Sequence, residues 1–155
     1  MKIGKGLSLV LSVLMLFGML MPSMTAKEAD IAAVSTETEQ LANGDYIETV
    51  LVTYAQSDGA KASTVNGQKT KSYKNSSGVV MWSVTVYGTF SYTGSSATCT
   101  SASRNTTCPG SGWSIVASSA SKSGNTAKAT ATARYNNGNY SLSVTLKCSA
   151  DGVLS

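Results

Sequence analysis

Between Val79 and Tyr92 apolar and polar side chains alternate. Trp82, Val84, Val86, Phe90 and Tyr92 share one parity, and Ser83, Thr85, Thr89 and Ser91 the other. Period-two alternation over this length predicts a β-strand with one buried and one wet face. Gly88, on the apolar parity, predicts a bulge or bend within it. The same period returns near the end of the chain. Ala127, Ala129, Ala131, Ala133 and Tyr135 oppose Lys128, Thr130, Thr132 and Arg134; after Asn136-Asn-Gly-Asn139, the residues Tyr140, Leu142, Val144, Leu146 and Cys148 come back on the apolar side. Residues suited to positive φ between two alternating runs predict a hairpin. Alanines cannot fill a thick core, so this hairpin is expected to lie beneath the bulky Trp82–Tyr92 strand.

Weaker signals complete the pattern. Asp45 to Tyr54 is rich in β-branched and aromatic residues and reads as a strand. Gln68 to Lys74 reads as an edge strand because of its lysines, Ala97 to Ala102 as a short strand, and Trp113 to Ala117 as another with Trp113, Ile115 and Ala117 inward. Residues 55–67, 103–112 and 118–125 read as loops or connections. Residues 27–44 form an acidic leader, a frayed helix or without fixed structure, that ends in the turn signal Asn43-Gly44. About seven short strands separated by turns indicate an all-β fold, an antiparallel β-sandwich, over residues 45–155.

The first 26 residues follow none of these periods. Lys2 and Lys5 precede an apolar run from Leu7 to Met21, then Pro22-Ser-Met-Thr-Ala26, after which the chain turns polar. A basic start, a short apolar stretch and a small-residue exit describe a helical secretory signal peptide. The run is shorter than the ~20 residues that span a bilayer as a helix, so an uncleaved anchor is the lesser alternative. Met24 stands where a small residue is usual. Cleavage after Ala26 leaves a secreted, extracellular or cell-wall-associated chain with no membrane segment.

Charge divides the remainder unevenly. Residues 27–58 carry Lys27 against seven acids, and residues 59–155 carry seven Lys and two Arg against Asp151 alone. No histidine occurs, which removes the commonest general base and metal ligand. Ser–His–Asp and Cys–His catalysis are thereby excluded, and with Asp151 the only acid past Asp58, paired-carboxylate glycosidase chemistry has nowhere to sit in the body of the domain. Glu37, Glu39, Asp45 and Glu48 match no calcium-loop spacing. The chain therefore reads as no enzyme, with no catalytic residue, metal or cofactor. Lys69, Lys71, Lys74, Lys128, Arg134 and Lys147, interleaved with Ser and Thr, are expected to form a basic, hydroxyl-lined polyanion or glycan face if their strands share a sheet. Cell-wall polymers such as teichoic acids, or sulfated and sialylated host glycans, are the partners such a face would suit. The other view of the same lysines is that they only keep the surface soluble. A nucleic-acid partner is not expected, because the excess charge is modest and the aromatics lie on the buried parity. A second functional class is a secreted bacteriocin or toxin-like antagonist, which size, export and positive charge all fit.

Cys99, Cys108 and Cys148 are an odd number in a chain bound for an oxidising compartment. A Cys99–Cys148 bridge would close some fifty residues and stabilise by roughly 3–4 kcal/mol. Cys99–Cys108 and fully reduced cysteines remain open.

Lys74-Asn-Ser-Ser-Gly78, Trp82, Gly88-Thr-Phe-Ser-Tyr92, Gly94-Ser-Ser96, Cys99-Thr100, Ser123-Gly-Asn125 and Ser143-Val-Thr-Leu-Lys-Cys-Ser-Ala150 together resemble a group of small uncharacterised Ser/Thr-rich secreted proteins of Gram-positive anaerobes, the Clostridia. The resemblance covers residues 43–155 and implies a source and a location, with no activity attached. In that group the cysteines corresponding to Cys99 and Cys148 recur more regularly than the one matching Cys108, which favours the first pairing.

Overall fold

A computed structural model describes residues 30–55 and 63–155. The expected signal peptide lies outside the described residues. Among the described residues there are eight β-strands, and all pairing within sheets is antiparallel. They are β1 (Ile31–Gln40), β2 (Tyr46–Tyr54), β3 (Ser63–Lys74), β4 (Val80–Tyr92), β5 (Ala97–Thr107), β6 (Ser114–Ser123), β7 (Thr126–Tyr135) and β8 (Gly138–Lys147). The first five form one sheet in chain order and the last three a second. The small sheet packs on β3, β4 and β5, giving a sandwich-like all-β body.

The alternation read from β4, β7 and β8 sets the core. Trp82, Val84, Val86 and Phe90 are fully buried against Ala127, Ala129, Ala133, Val144, Leu146 and Cys148. Small alanines on β7 let the sheets approach over the bulky β4 row, as packing at interior density requires. Gly88 is part of that fit: a Cβ there would stand 2.6 Å from the Phe90 ring and 3.1 Å from Leu146. The bulge expected at Gly88 falls nearby but on the neighbouring strand, where the β4–β5 register slips between Thr89 and Phe90. Asn136 and Asn137, at φ 45° and 63°, make the tight two-residue turn between β7 and β8, as both must be left-handed in that hairpin type.

One end of the sandwich is closed by rings. Trp113 stacks on Tyr135 at 4.8 Å between centroids and meets Tyr73 at 5.2 Å and Tyr140 at 5.0 Å, with Trp82 beneath. Tyr73 donates its hydroxyl to Asp45 Oδ2 at 2.6 Å and accepts from Asn43 Nδ2 at 3.2 Å, and Ser76 N donates to Asp45 Oδ1. This network fixes the β1–β2 turn onto β3. Among the described residues the indole Nε1 of Trp82 is buried without an acceptor.

Several expectations change. Eight strands replace about seven, and each runs to nine residues or more. Most of the acidic leader is β1: its backbone pairs with β2 from Ile31 to Gln40, although every residue of it is exposed. Ser63 to Gly67, expected as loop, begins β3 and buries Val65. Gln68–Lys74 is no edge; it runs between β2 and β4. β5 and β6 extend through stretches read as connections. Ala117 is exposed, because a bulge between Ile115 and Ala117 reverses the parity of β6 beyond it.

Candidate functional site

The registers assign each of the six expected cations to a face. Across the large sheet, Ser35–Leu51–Lys69–Val86 and Glu37–Thr49–Lys71–Val84 form two rows. Val84 and Val86 belong to the core, so Lys69 and Lys71 lie on the inner face, beside the small sheet and not on an outer surface. Lys74, of opposite parity, lies on the outer face, where its Nζ sits 2.7 Å from Glu48 Oε2 and 6.0 Å from the centre of the Tyr46 ring. Lys128, Arg134 and Lys147 lie on the outer face of the small sheet, opposite the buried alanine and leucine parity. The six cations expected on one face thus occupy three places. Parity alone separates Lys74 from Lys69 and Lys71, and it was legible in the spacing.

The outer face of the small sheet is nevertheless uniform. Outward positions on β6 are Ser114, Ala117, Ser119, Ser121 and Ser123. On β7 they are Thr126, Lys128, Thr130, Thr132 and Arg134, and on β8 Asn139, Ser141, Ser143, Thr145 and Lys147. Three are cations and none is an acid. Hydroxyls couple across strands: Ser119 with Thr130 and Thr132 with Ser141, each at 2.8 Å, while Arg134 Nε donates to Asn139 Oδ1 at 3.2 Å. Cross-strand pairs of this kind hold side chains in fixed rows.

A cleft runs beside β8. Because the small sheet covers β3, β4 and β5, the inner face of β1 and β2 is left as a shelf. The space above it, about 330 Å3, is lined by Glu37 and Glu39 on one wall, Lys69 and Lys71 on the floor, and Ser143 and Thr145 at the β8 edge. It continues for about 230 Å3 toward Leu51, Leu154 and Ser155. Glu37, Glu39, Ser143 and Thr145 were not expected at any site; the alternation of Ser35-Thr-Glu-Thr-Glu39 was the available signal. Ser143 and Thr145 belong both to the cleft and to the outer face, so the two surfaces meet over the β8 edge. Among the described residues no three of His, Cys, Asp and Glu stand together, and no helix is long and apolar enough to cross a membrane.

The expected Cys99–Cys148 bridge is not formed; Cys99, Cys108 and Cys148 are free thiols. Each sulfur of the pair donates instead to a backbone carbonyl, Cys99 to Ser101 at 3.2 Å and Cys148 to Ser149 at 3.3 Å. Both lie in one buried cluster and flank the β6–β7 turn, Cys99 N donating to Gly124 O and Cys148 N to Asn125 O. Burial raises both thiols above the usual value, and the nearness of Cys99 raises Cys148 further. Cys108, half-buried, is raised by burial alone.

No protein-family model matches the chain, and comparisons with curated proteins and with solved structures give no match.

Proposed function

We propose that the protein is a secreted, non-catalytic binding module that holds anionic, hydroxyl-rich polymers of the cell envelope or glycans of the same chemistry. The observation that carries this reading is the outer face of the small sheet, where Lys128, Arg134 and Lys147 stand in fixed Ser/Thr rows with no acid among them. Such a face offers hydroxyl donors and acceptors to a polymer's hydroxyls and unneutralised cations to its phosphate, sulfate or carboxylate groups. Lys74, neutralised by Glu48 on the far side, is no part of it. The absence of histidine and the scarcity of acids beyond Asp58 support a surface that binds and does not catalyse.

Cosedimentation of the mature protein with cell walls across a salt series tests this, with walls stripped of phosphate polymer and sulfated glycan beads as separate arms. Retention is expected to fall as salt rises. It should be lost in Lys128→Glu/Arg134→Glu/Lys147→Glu and kept in Lys74→Gln. Absent or salt-independent retention, or a triple variant that binds as well as the wild type, refutes the reading.

The same location gives the cysteines a use. In an oxidising compartment Cys99 and Cys148 join: each thiol gives up its hydrogen, one S–S bond forms, and a donor disulfide is reduced to two thiols. The placement of both in one cluster beside the Gly124-Asn125 turn supports this pairing, with Cys108 left over.

A further inference from the structure

The two sheets differ by two strands, and the difference leaves three unfilled features in one place. Among the described residues nothing pairs with the outer edge of β1, and all ten of its residues are exposed. β8 has an open edge facing the cleft. Between them lies the uncovered inner face of β1 and β2. Open edges are pairing sites unless covered or blunted, and neither edge here carries a proline.

The chain itself shows how the β8 edge is used. Leu154 bridges Cys148, and Ser155 exchanges backbone hydrogen bonds with Lys147 at 2.9 and 3.0 Å. The C-terminal residues thus sit as a short added strand at one end of the cleft. Among the described residues, no strand lies beside the remainder of the edge, toward Thr145, Ser143 and Asn139.

We infer that this cleft receives β1 of a second copy of the chain, in a two-fold dimer where each copy's β1 pairs with the part of the other's β8 edge that its own C-terminal residues leave open. Topology makes the fit closed. Each layer becomes an eight-stranded sheet, the three strands of one copy followed by the five of the other. The two uncovered strands of one copy lie over the two uncovered strands of its partner, so no strand is left unopposed. Strand direction agrees. Every paired neighbour is antiparallel. β5 and β6 also run oppositely, since β6 starts beside Trp82 and ends at Cys99. β1 and β8 therefore have opposite senses, and a two-fold axis along the strands presents the partner's β1 antiparallel to β8.

Charge agrees as well. Among the described residues the one ion pair is Lys74–Glu48, so Glu37 and Lys71, which share a row, make none within one copy. The axis brings Glu37 of each copy to the level of Lys71 in the other, with Ser35 and Glu39 on either side. Facing strands of about ten residues, two wide, present roughly 300 Å2 of sheet per copy at ordinary strand spacings. With the two paired edges, the total stays below the ~1,200 Å2 of stable interfaces and in the range of weak, concentration-dependent ones. A closed isologous contact uses both open edges at once and stops at two copies.

Sedimentation velocity and light scattering on the mature protein test this. A dimer is expected, dissociating on dilution. Glu37→Lys and Lys71→Glu should each run as monomers, and their mixture should restore a dimer, because each pairing across the axis then joins unlike charges. The outer-face triple variant Lys128→Glu/Arg134→Glu/Lys147→Glu should remain dimeric, so failure of polymer binding and failure of dimerisation are read separately. A wild-type monomer at every concentration overturns the inference. So do assembly that grows beyond two copies and single variants that dimerise as well as the wild type.

Discussion

Gly88 is the sharpest structural test of how the two sheets meet. Its backbone is extended, so the residue is needed for space and not for a left-handed φ. In Gly88→Ala the new methyl would stand 2.6 and 2.8 Å from two atoms of the Phe90 ring and 3.1 Å from Leu146 Cδ2. Phe90 and Leu146 are both fully buried, so neither side chain has open space to move into. Overpacking of this kind costs about 1–3 kcal/mol. Removing a glycine from a strand returns about 0.5–1 kcal/mol, leaving a net loss of roughly 1–2 kcal/mol. Urea unfolding followed by tryptophan fluorescence should show a lower midpoint with an unchanged slope. Phe90→Leu alone is also destabilising, because it trades a filled ring site for a smaller group. Gly88→Ala/Phe90→Leu should be more stable than the sum of the two losses predicts, by on the order of 1 kcal/mol. A Gly88→Ala variant as stable as the wild type, or strictly additive losses, refutes the claim that this glycine sets the sheet spacing.

Further outcomes follow from two other parts of the fold. Tyr73→Phe loses the 2.6 Å bond to Asp45 that fastens the β1–β2 turn and should cost about 1–2 kcal/mol in urea unfolding; an unchanged midpoint refutes that role. Tyr73 is raised by burial and then by Asp45. The folded state therefore keeps a proton that the unfolded chain releases, so the wild type loses stability as pH climbs past the usual tyrosine range and Tyr73→Phe loses less. The buried thiols of Cys99 and Cys148, also raised, make the reduced protein lose stability as pH rises above the usual thiol value. That slope should be smaller in protein oxidised before unfolding, and non-reducing peptide mapping should return a Cys99–Cys148 crosslink; a Cys99–Cys108 crosslink, or equal slopes, refutes the pairing.

The core strands were legible because burial there follows parity without interruption. Trp82, Val84, Val86 and Phe90, and the rows of β7 and β8, are buried where alternation puts them. Asn136-Asn137 turns where its residue types require. Legibility failed wherever a strand gains little from burial. β1 hides no side chain; its backbone pairing with β2 carries it, and pairing leaves no trace in hydrophobic pattern. Lysines on Gln68–Lys74 read as an edge signal, yet Lys69 and Lys71 lie on the inner face at the margin of the second sheet, in the cleft beside β8, and Lys74 lies on the outer face against Glu48. One inserted residue near Val116 was enough to turn Ala117 outward, because a bulge resets parity without any compositional mark.

The failures at β1 and β3 share one cause, and it bears on what the protein does. A strand in the middle of a sandwich usually needs apolar residues on its inner face, yet β3 carries Lys69 and Lys71 there and β1 carries Glu37 and Glu39. Such residues are tolerable in one copy only because the smaller sheet stops at β8 and leaves them in a solvent-filled cleft. Burying any one of them unpaired would cost several kcal/mol, so a neutral or apolar strand added at β8 would strand the lysines. A strand that brings carboxylates at the level of Lys71 would not. The inward charges thus select what enters the cleft. They favour an acidic strand such as β1 of another copy over the Ser/Thr-rich strands that make up the rest of the chain, and they keep this recognition apart from the acid-free face on the other side of the small sheet.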